Sequence, residues 1–147
     1  RAAGSTPARP TKTPGIFSSV KPTRMCPFCK SEMLERAVAI HGSVFAVKDK
    51  YPVTDGHLLV ITRRHSEDFF SMTPQERKDA DELLLQLRAQ ILQRDKAVSG
   101  FNVGANCGMV AGQKVMHAHI HLIPRRERDA QEPTGGVRGA VPDSLLY

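Results

Sequence analysis

The sequence predicts an α+β domain in which a five-stranded antiparallel sheet carries one long helix. Three observations point there. Two β-prone runs, residues 37–41 (AVAIH) and 44–47 (VFAV), are separated by Gly42-Ser43, the spacing of a tight hairpin. A single strong helix start stands at Thr73-Pro74. Strands and helices do not alternate along the chain, as the βαβ units of a parallel sheet require.

The first hairpin is followed by a turn-rich connection through Pro52, Thr54, Asp55 and Gly56. Residues 57–62 (HLLVIT) then read as a third strand, apolar enough to lie centrally. Thr73 is a capping residue, Pro74 suits the first helical position, and Glu76 completes a T-x-x-E capping box. Ala80, Leu83, Leu84, Leu87, Ile91 and Leu92 recur at helical spacing, and Ser99-Gly100 is the stop signal. Residues 101–103 begin a fourth strand. A glycine-bearing turn over 104–112 leads to a fifth at 115–123, which Pro124 ends.

The chain has 147 residues and a formal charge of +6, with 40% apolar and 24% charged residues. That suits one globular domain with its own core. No apolar run reaches the roughly 18–20 residues needed to span a bilayer. The charge is unevenly placed: Arg1, Arg9, Lys12, Lys21, Arg24 and Lys30 precede any acidic residue, and the remainder balances 15 basic against 15 acidic side chains. Five of the ten prolines also lie in this leading part, so residues 1–24 read as an extended basic arm and 25–147 as the domain. The arm has no apolar core of a secretory signal; cytoplasmic location is expected, with an organelle-targeting arm as the alternative. A neutral domain, an aromatic content of 5% and no tryptophan argue against nucleic acid as the partner.

The chemistry concentrates in His117-Ala118-His119-Ile120-His121. On a regular strand these three imidazoles would project from one face about 6.6 Å apart. Burying three imidazoles without partners is costly, so the motif reads as a site. It fits either a shared cation or a neutral imidazole that attacks phosphorus. The preceding turn, with Asn106, Gly108, Gly112, Gln113 and Lys114, suits backbone N–H groups approaching phosphate oxygens. Lys114, Arg125 and Arg138 are the cations expected around the histidines, with Arg126 and Arg128 nearby in sequence.

Several motifs together resemble the histidine triad (HIT) family. His117 to His121 matches H-x-H-x-H with apolar x, preceded by Ala111-Gly112-Gln113 and followed by Leu122-Ile123-Pro124-Arg125. Residues 56–61 (GHLLVI) with His65 resemble the family's second block, with Thr62 where proline is usual. Cys26-Pro27-Phe28-Cys29 and Gly135-Gly136-Val137-Arg138-Gly139 resemble the ends of its cysteine-containing bacterial members. The resemblance covers about residues 25–147.

It implies a HIT-like, dimer-forming fold and a nucleotide hydrolase or transferase that breaks a phosphorus bond at a nucleoside α-phosphate. His119 would be the nucleophile, His121 a charged donor to the α-phosphate, and His117 the support of the triad. Asp49 would bind the ribose hydroxyls, though its place before Tyr51-Pro52 also suits a turn residue. Asn106 would contact phosphate, with Asn102 a competing candidate. Gln113, Lys114 and Val115 would complete that pocket. Phe28 and Phe45 match positions near the base, and a core role suits both equally. The segment after the triad resembles the branch that cleaves dinucleoside polyphosphates such as diadenosine tetraphosphate. A purine nucleoside phosphoramidase and a nucleotide-binding regulatory protein are the alternatives. The acceptor, water or phosphate, stays open. The partner is a small anionic nucleotide, and the assembly a homodimer.

Cys26-x-x-Cys29 is half of a zinc site, and His65 and His117 supply the nitrogen donors that complete it. Some HIT members hold a structural zinc in this way, so zinc is expected here; no cofactor is needed for the chemistry. The rival is a redox C-x-x-C, which normally sits on a βαβ fold that this sequence lacks. Cys107 reads as a buried thiol.

Overall fold

The computed structural model describes residues 26–131 and 133–141; the basic arm and its expected boundary lie outside these residues. The five strands are β1 (Ala39–His41), β2 (Val44–Lys48), β3 (Leu58–Thr62), β4 (Val98–Gly104) and β5 (His119–Arg126). They form one antiparallel sheet in the order β1-β2-β3-β5-β4. The helices are the short α1 (Ser31–Glu35) and the long α2 (Pro74–Arg94). Among the described residues no helix is long and apolar enough to cross a membrane.

The sheet buries both faces. Val44 and Ala46, Leu58 and Val60, and Ile120 and Leu122 pack against Ala80, Leu83 and Leu87 of α2. Phe45, Val47, Leu59 and Ile61 face the other way and are covered by Phe28 of the N-terminal turn, Met33 of α1 and Ala37 just after it. The near-continuous apolar runs of β2 and β3 follow from this double cover. Since Leu59 pairs with His121 and Ile61 with His119, those histidines share the face away from α2.

Helix α2 begins as expected. The Thr73 hydroxyl accepts the Glu76 N–H, and Glu76 Oε1 accepts the Thr73 N–H in return. It ends five residues before the expected stop. Asp95 leaves helical geometry and turns its carboxylate back onto the Ala97 N–H, and Val98 is buried opposite Arg126. Strand β4 therefore begins at Val98, and Ser99-Gly100 lies within it at an irregularity in the ladder.

Asp79 fastens α2 to the first hairpin. Its carboxylate accepts from the Ser43 N–H (2.9 Å), the Ser43 hydroxyl (2.6 Å) and the Gln75 amide (2.8 Å). Gly42 has φ +53, and a Cβ there would stand 2.5 Å from Asp79 Oδ2, so this turn requires glycine on two counts. The Ser43 and Gln75 hydrogen bonds hold the Asp79 carboxyl down at about 2. A depressed carboxylate stabilises the fold above its unfolded pKa, and that contribution disappears as pH falls toward 2. Asp79→Asn is expected to lower the urea midpoint at pH 7, with the gap to wild type closing between about pH 4 and pH 2. A gap that does not depend on pH would contradict this role.

Candidate active site

Strand β5 begins at His119, four residues later than expected. Residues 115–118 curl instead of extending. The His117 N–H donates to the Val115 carbonyl at 2.8 Å, and the Ala118 N–H to the Ser66 carbonyl at 2.6 Å. The cause lies upstream, where Gln113 is buried and spends its side chain bracing the loop. It accepts from the Gly108 N–H (2.8 Å) and donates to the carbonyls of Glu67 (2.7 Å) and Val115 (3.1 Å). Gly112, at φ +90, makes the turn that precedes it. The expected row of three equivalent histidines is thus corrected: His119 and His121 remain neighbours, while His117 turns to a different set of partners.

Pro124 does not end the strand either. The β3–β5 ladder finishes at Leu58–Leu122, so no β3 carbonyl waits for the missing N–H, and Pro124 pairs with Phe101 inside β4–β5.

The buried His119 ring donates Nδ1–H to the carbonyl of His117 at 2.7 Å. That bond fixes a proton on Nδ1, so in the neutral ring the lone pair lies on Nε2. His57, only 2% exposed, fixes the next ring. Its Nδ1 accepts from the Val53 N–H at 3.0 Å, so its proton sits on Nε2 and is donated to His121 Nδ1 at 2.9 Å. His121 must then carry its own proton on Nε2. Burial pushes His121 down to about 4, with repulsion from His119 and His57 adding and Asp49 opposing. Burial also lowers His57, again against Asp49. The charged donor expected at His121 is therefore a neutral Nε2–H donor at pH 7 in this structure. His57 stood in the sequence reading as the first residue of a strand and as part of the GHLLVI motif, with no role of its own; the structure places it behind His121.

A cavity of about 770 Å³ opens over these rings. His119 and His121 line it, with Phe28, Asp49, Asn106, Lys114 and Val115 among its walls. Asp49 also holds the turn: Oδ1 accepts the Tyr51 N–H at 2.8 Å, and Oδ2 lies 3.4 Å from His57 Nε2 and 3.9 Å from His121 Nδ1. Asn106 reaches this cavity, whereas Asn102 does not line it and accepts from Arg125 Nη1 at 2.6 Å. Phe45 is core, buried beneath the wall in the second apolar cluster.

The flanking arginines are corrected too. Arg125 forks onto Asp129 at 2.7 and 2.9 Å, and Arg126 onto Asp95 at 2.7 and 3.2 Å. Neither lines the cavity, nor does Arg138 on the C-terminal turn; Lys114 does. Cys107 is half-buried, not buried.

On the other side of His119 the four residues of the expected metal set come together. Cys26, Cys29, His65 and His117 each offer one ligand atom within 4.8 Å of all the others. His117 Nδ1 stands 3.5 Å from both sulfurs, and His65 Nδ1 lies 3.1 Å from Cys29 Sγ. Zinc–sulfur bonds near 2.3 Å and zinc–nitrogen bonds near 2.05 Å give a tetrahedral S···N edge of about 3.5 Å, so these residues fit the ion. The outer contact fits as well: His117 Nε2–H donates to the Thr62 carbonyl at 2.7 Å, leaving Nδ1 as a ligand lone pair. Burial holds His117 near 4, hence neutral. Thr62, at the family's usual proline position, supplies this carbonyl.

A description of the HIT domain matches residues 30–128. The chain belongs to the HIT family. Among solved structures, a HIT family protein from Bacillus anthracis shares 34% sequence identity at a TM-score of 0.66, covering 72% of this chain and 77% of that one. A Zn-bound histidine triad family protein from Mycobacterium smegmatis shares 25% identity at a TM-score of 0.64, covering 71% and 78%. The bis(5'-nucleosyl)-tetraphosphatase (asymmetrical) of Schizosaccharomyces pombe is 35% identical over 81 residues, which are 55% of this chain and 44% of that protein. The α+β fold expected from sequence, with its five-stranded antiparallel sheet and long helix, is that of this HIT family.

Proposed function

We propose that this HIT protein is a nucleotide hydrolase or transferase that acts on dinucleoside polyphosphates through a nucleotidyl-His119 intermediate. The observation that carries the reading is the pair of opposite tautomers in one cavity. His119 offers an Nε2 lone pair and His121 an Nε2–H, each fixed by a hydrogen bond on its other nitrogen. A nucleophile and an oxyanion donor side by side are what phosphoryl-type transfer needs.

In this mechanism His119 Nε2 attacks the α-phosphorus, and a P–N bond forms as the P–O bond to the leaving polyphosphate breaks. The electron pair leaves with that oxygen. The His121 Nε2–H stabilises the negative charge on the phosphoryl oxygens. Water or inorganic phosphate then attacks the same phosphorus and frees His119. Asp49, beside His121, binds the ribose hydroxyls, and Phe28 flanks the base. Lys114, exposed on the cavity wall, neutralises the polyphosphate. The segment Leu122-Ile123-Pro124-Arg125 and the likeness to the tetraphosphatase support the substrate class. The reading includes a homodimer, for which β4, an edge strand among the described residues, offers one side of its backbone and a half-exposed Val103.

Turnover of diadenosine tetraphosphate and adenosine phosphoramidate, each with and without inorganic phosphate, tests the substrate class. The reading expects the dinucleotide to be preferred. A preference for the phosphoramidate would replace this branch with the other.

The Cys26, Cys29, His65 and His117 set is proposed to hold one structural zinc, which when bound supplies four fixed bonds between the N-terminal turn and the sheet, and takes no part in the chemistry. Support comes from the S···N distances and from the Zn-bound family neighbour. Metal analysis of freshly purified protein is expected to give about one zinc per chain, lost in Cys26→Ser. A folded wild-type protein without zinc would refute it.

A further inference from the structure

His117 belongs to two constellations at once. Its Nδ1 stands among the metal-set atoms, 3.5 Å from each cysteine sulfur. Its own backbone carbonyl accepts the Nδ1–H that fixes the tautomer of His119. Between these ends the ring donates its Nε2–H to the Thr62 carbonyl at 2.7 Å.

A second connection runs through Phe28, which lies between the two cysteines in sequence. Its ring meets His117 and His119 edge-on, with centroids 5.9 and 5.2 Å apart, and lines the cavity. One short turn therefore carries two sulfur ligands and a piece of cavity wall. His117 lies in the irregular stretch before β5, where no strand pairing holds its carbonyl.

We propose that binding of a divalent cation to this set and binding of a nucleotide in the cavity are thermodynamically coupled through His117 and Phe28. The inference rests on reading the His119 cavity as a nucleotide site. A cation on Sγ and Nδ1 orders the turn and the His117 backbone. The ordering entropy is then already spent when the nucleotide arrives. Coupling of this kind is reciprocal: whatever factor the cation adds to nucleotide affinity, the nucleotide adds to cation affinity. His117 acts as a positioning residue, with no contact to the nucleotide required, and Phe28 couples the turn to the base it flanks.

The test uses the full chain with zinc and AMP as probes. AMP affinity is measured by calorimetry on zinc-loaded and chelator-stripped protein. Zinc affinity is measured by competition with a chromophoric chelator, with and without saturating AMP. Coupling in the usual range predicts a factor of about ten, the same in both directions. In Phe28→Ala the zinc content stays at one per chain while the factor shrinks. In histidine-labelled protein the His119 Nδ1 proton signal is expected to broaden on stripping, while the amide signals of the sheet stay dispersed. Zinc affinity indifferent to AMP overturns the coupling, and it does so on loaded, folded protein even if stripping unfolds the domain. AMP binding equal in both metal states overturns the coupling alone. No AMP binding in either state overturns the nucleotide reading and this inference with it.

Discussion

Replacing His119 with asparagine is expected to lower kcat for diadenosine tetraphosphate by at least a hundredfold and to leave KM within a few-fold. The substitution removes the lone pair that forms the covalent bond, and loss of such a group typically costs 10² or more. An asparagine amide can still donate to the His117 carbonyl, so the wall of the cavity and the loop before it stay in place. Steady-state kinetics on a variant with an unchanged urea midpoint separates lost chemistry from lost folding. Activity near wild type would remove His119 from the mechanism. A rise in KM with kcat intact would recast it as a binding residue.

The second large effect is expected from a residue that never touches substrate in this account. His57→Leu keeps the buried volume but removes both hydrogen bonds of the relay from Val53 to His121. Without that donor the His121 ring is free to place its proton on Nδ1, and the cavity then faces a second lone pair instead of a donor. Loss of such an orienting partner typically costs ten- to a hundredfold. kcat is expected to fall by about that much. The Val53 N–H also loses its acceptor, which adds a stability cost of about 0.5–1.5 kcal/mol. His57→Gln can both accept from Val53 and donate to His121, and is expected to recover most of the rate. If the leucine and glutamine variants were equally slow, the positioning role would fall, leaving only packing.

Much of this was legible in the sequence, for identifiable reasons. The hairpin, the central strand and the start of α2 were written in local signals: a two-residue turn, an apolar run, and a capping box that the hydrogen bonds at Thr73 and Glu76 realise. The metal set was legible because cysteine and histidine carry chemistry wherever they stand. What failed depended on contacts between distant segments. The end of α2 is set by Val98 being buried against β5, which outweighs the Ser99-Gly100 stop. The late start of β5 is set by Gln113 reaching Glu67, 46 residues away in sequence.

Two of the misread cations fail for a related reason. Arg125 and Arg126 look available beside the triad, yet Asp129 and Asp95 occupy them. Alternation placed His117, His119 and His121 on one strand face, and the period-two rule holds only once a strand has begun. His57 escaped notice because its role rests on a register, Leu59 opposite His121 and Leu58 opposite Leu122, that brings it beside β5. Nothing within six residues of His57 in sequence announces that neighbour.

The central claim is a covalent one, and it can be read directly. Wild-type protein mixed with diadenosine tetraphosphate, quenched within milliseconds in alkaline detergent, then digested above neutral pH and analysed by mass spectrometry, should carry adenylate on the peptide containing His117 to His121. Fragmentation should place the adduct on His119, and the adduct should be absent from His119→Asn. An adduct on a different residue, or full turnover with no adduct on His119 at any quench time, would contradict the account.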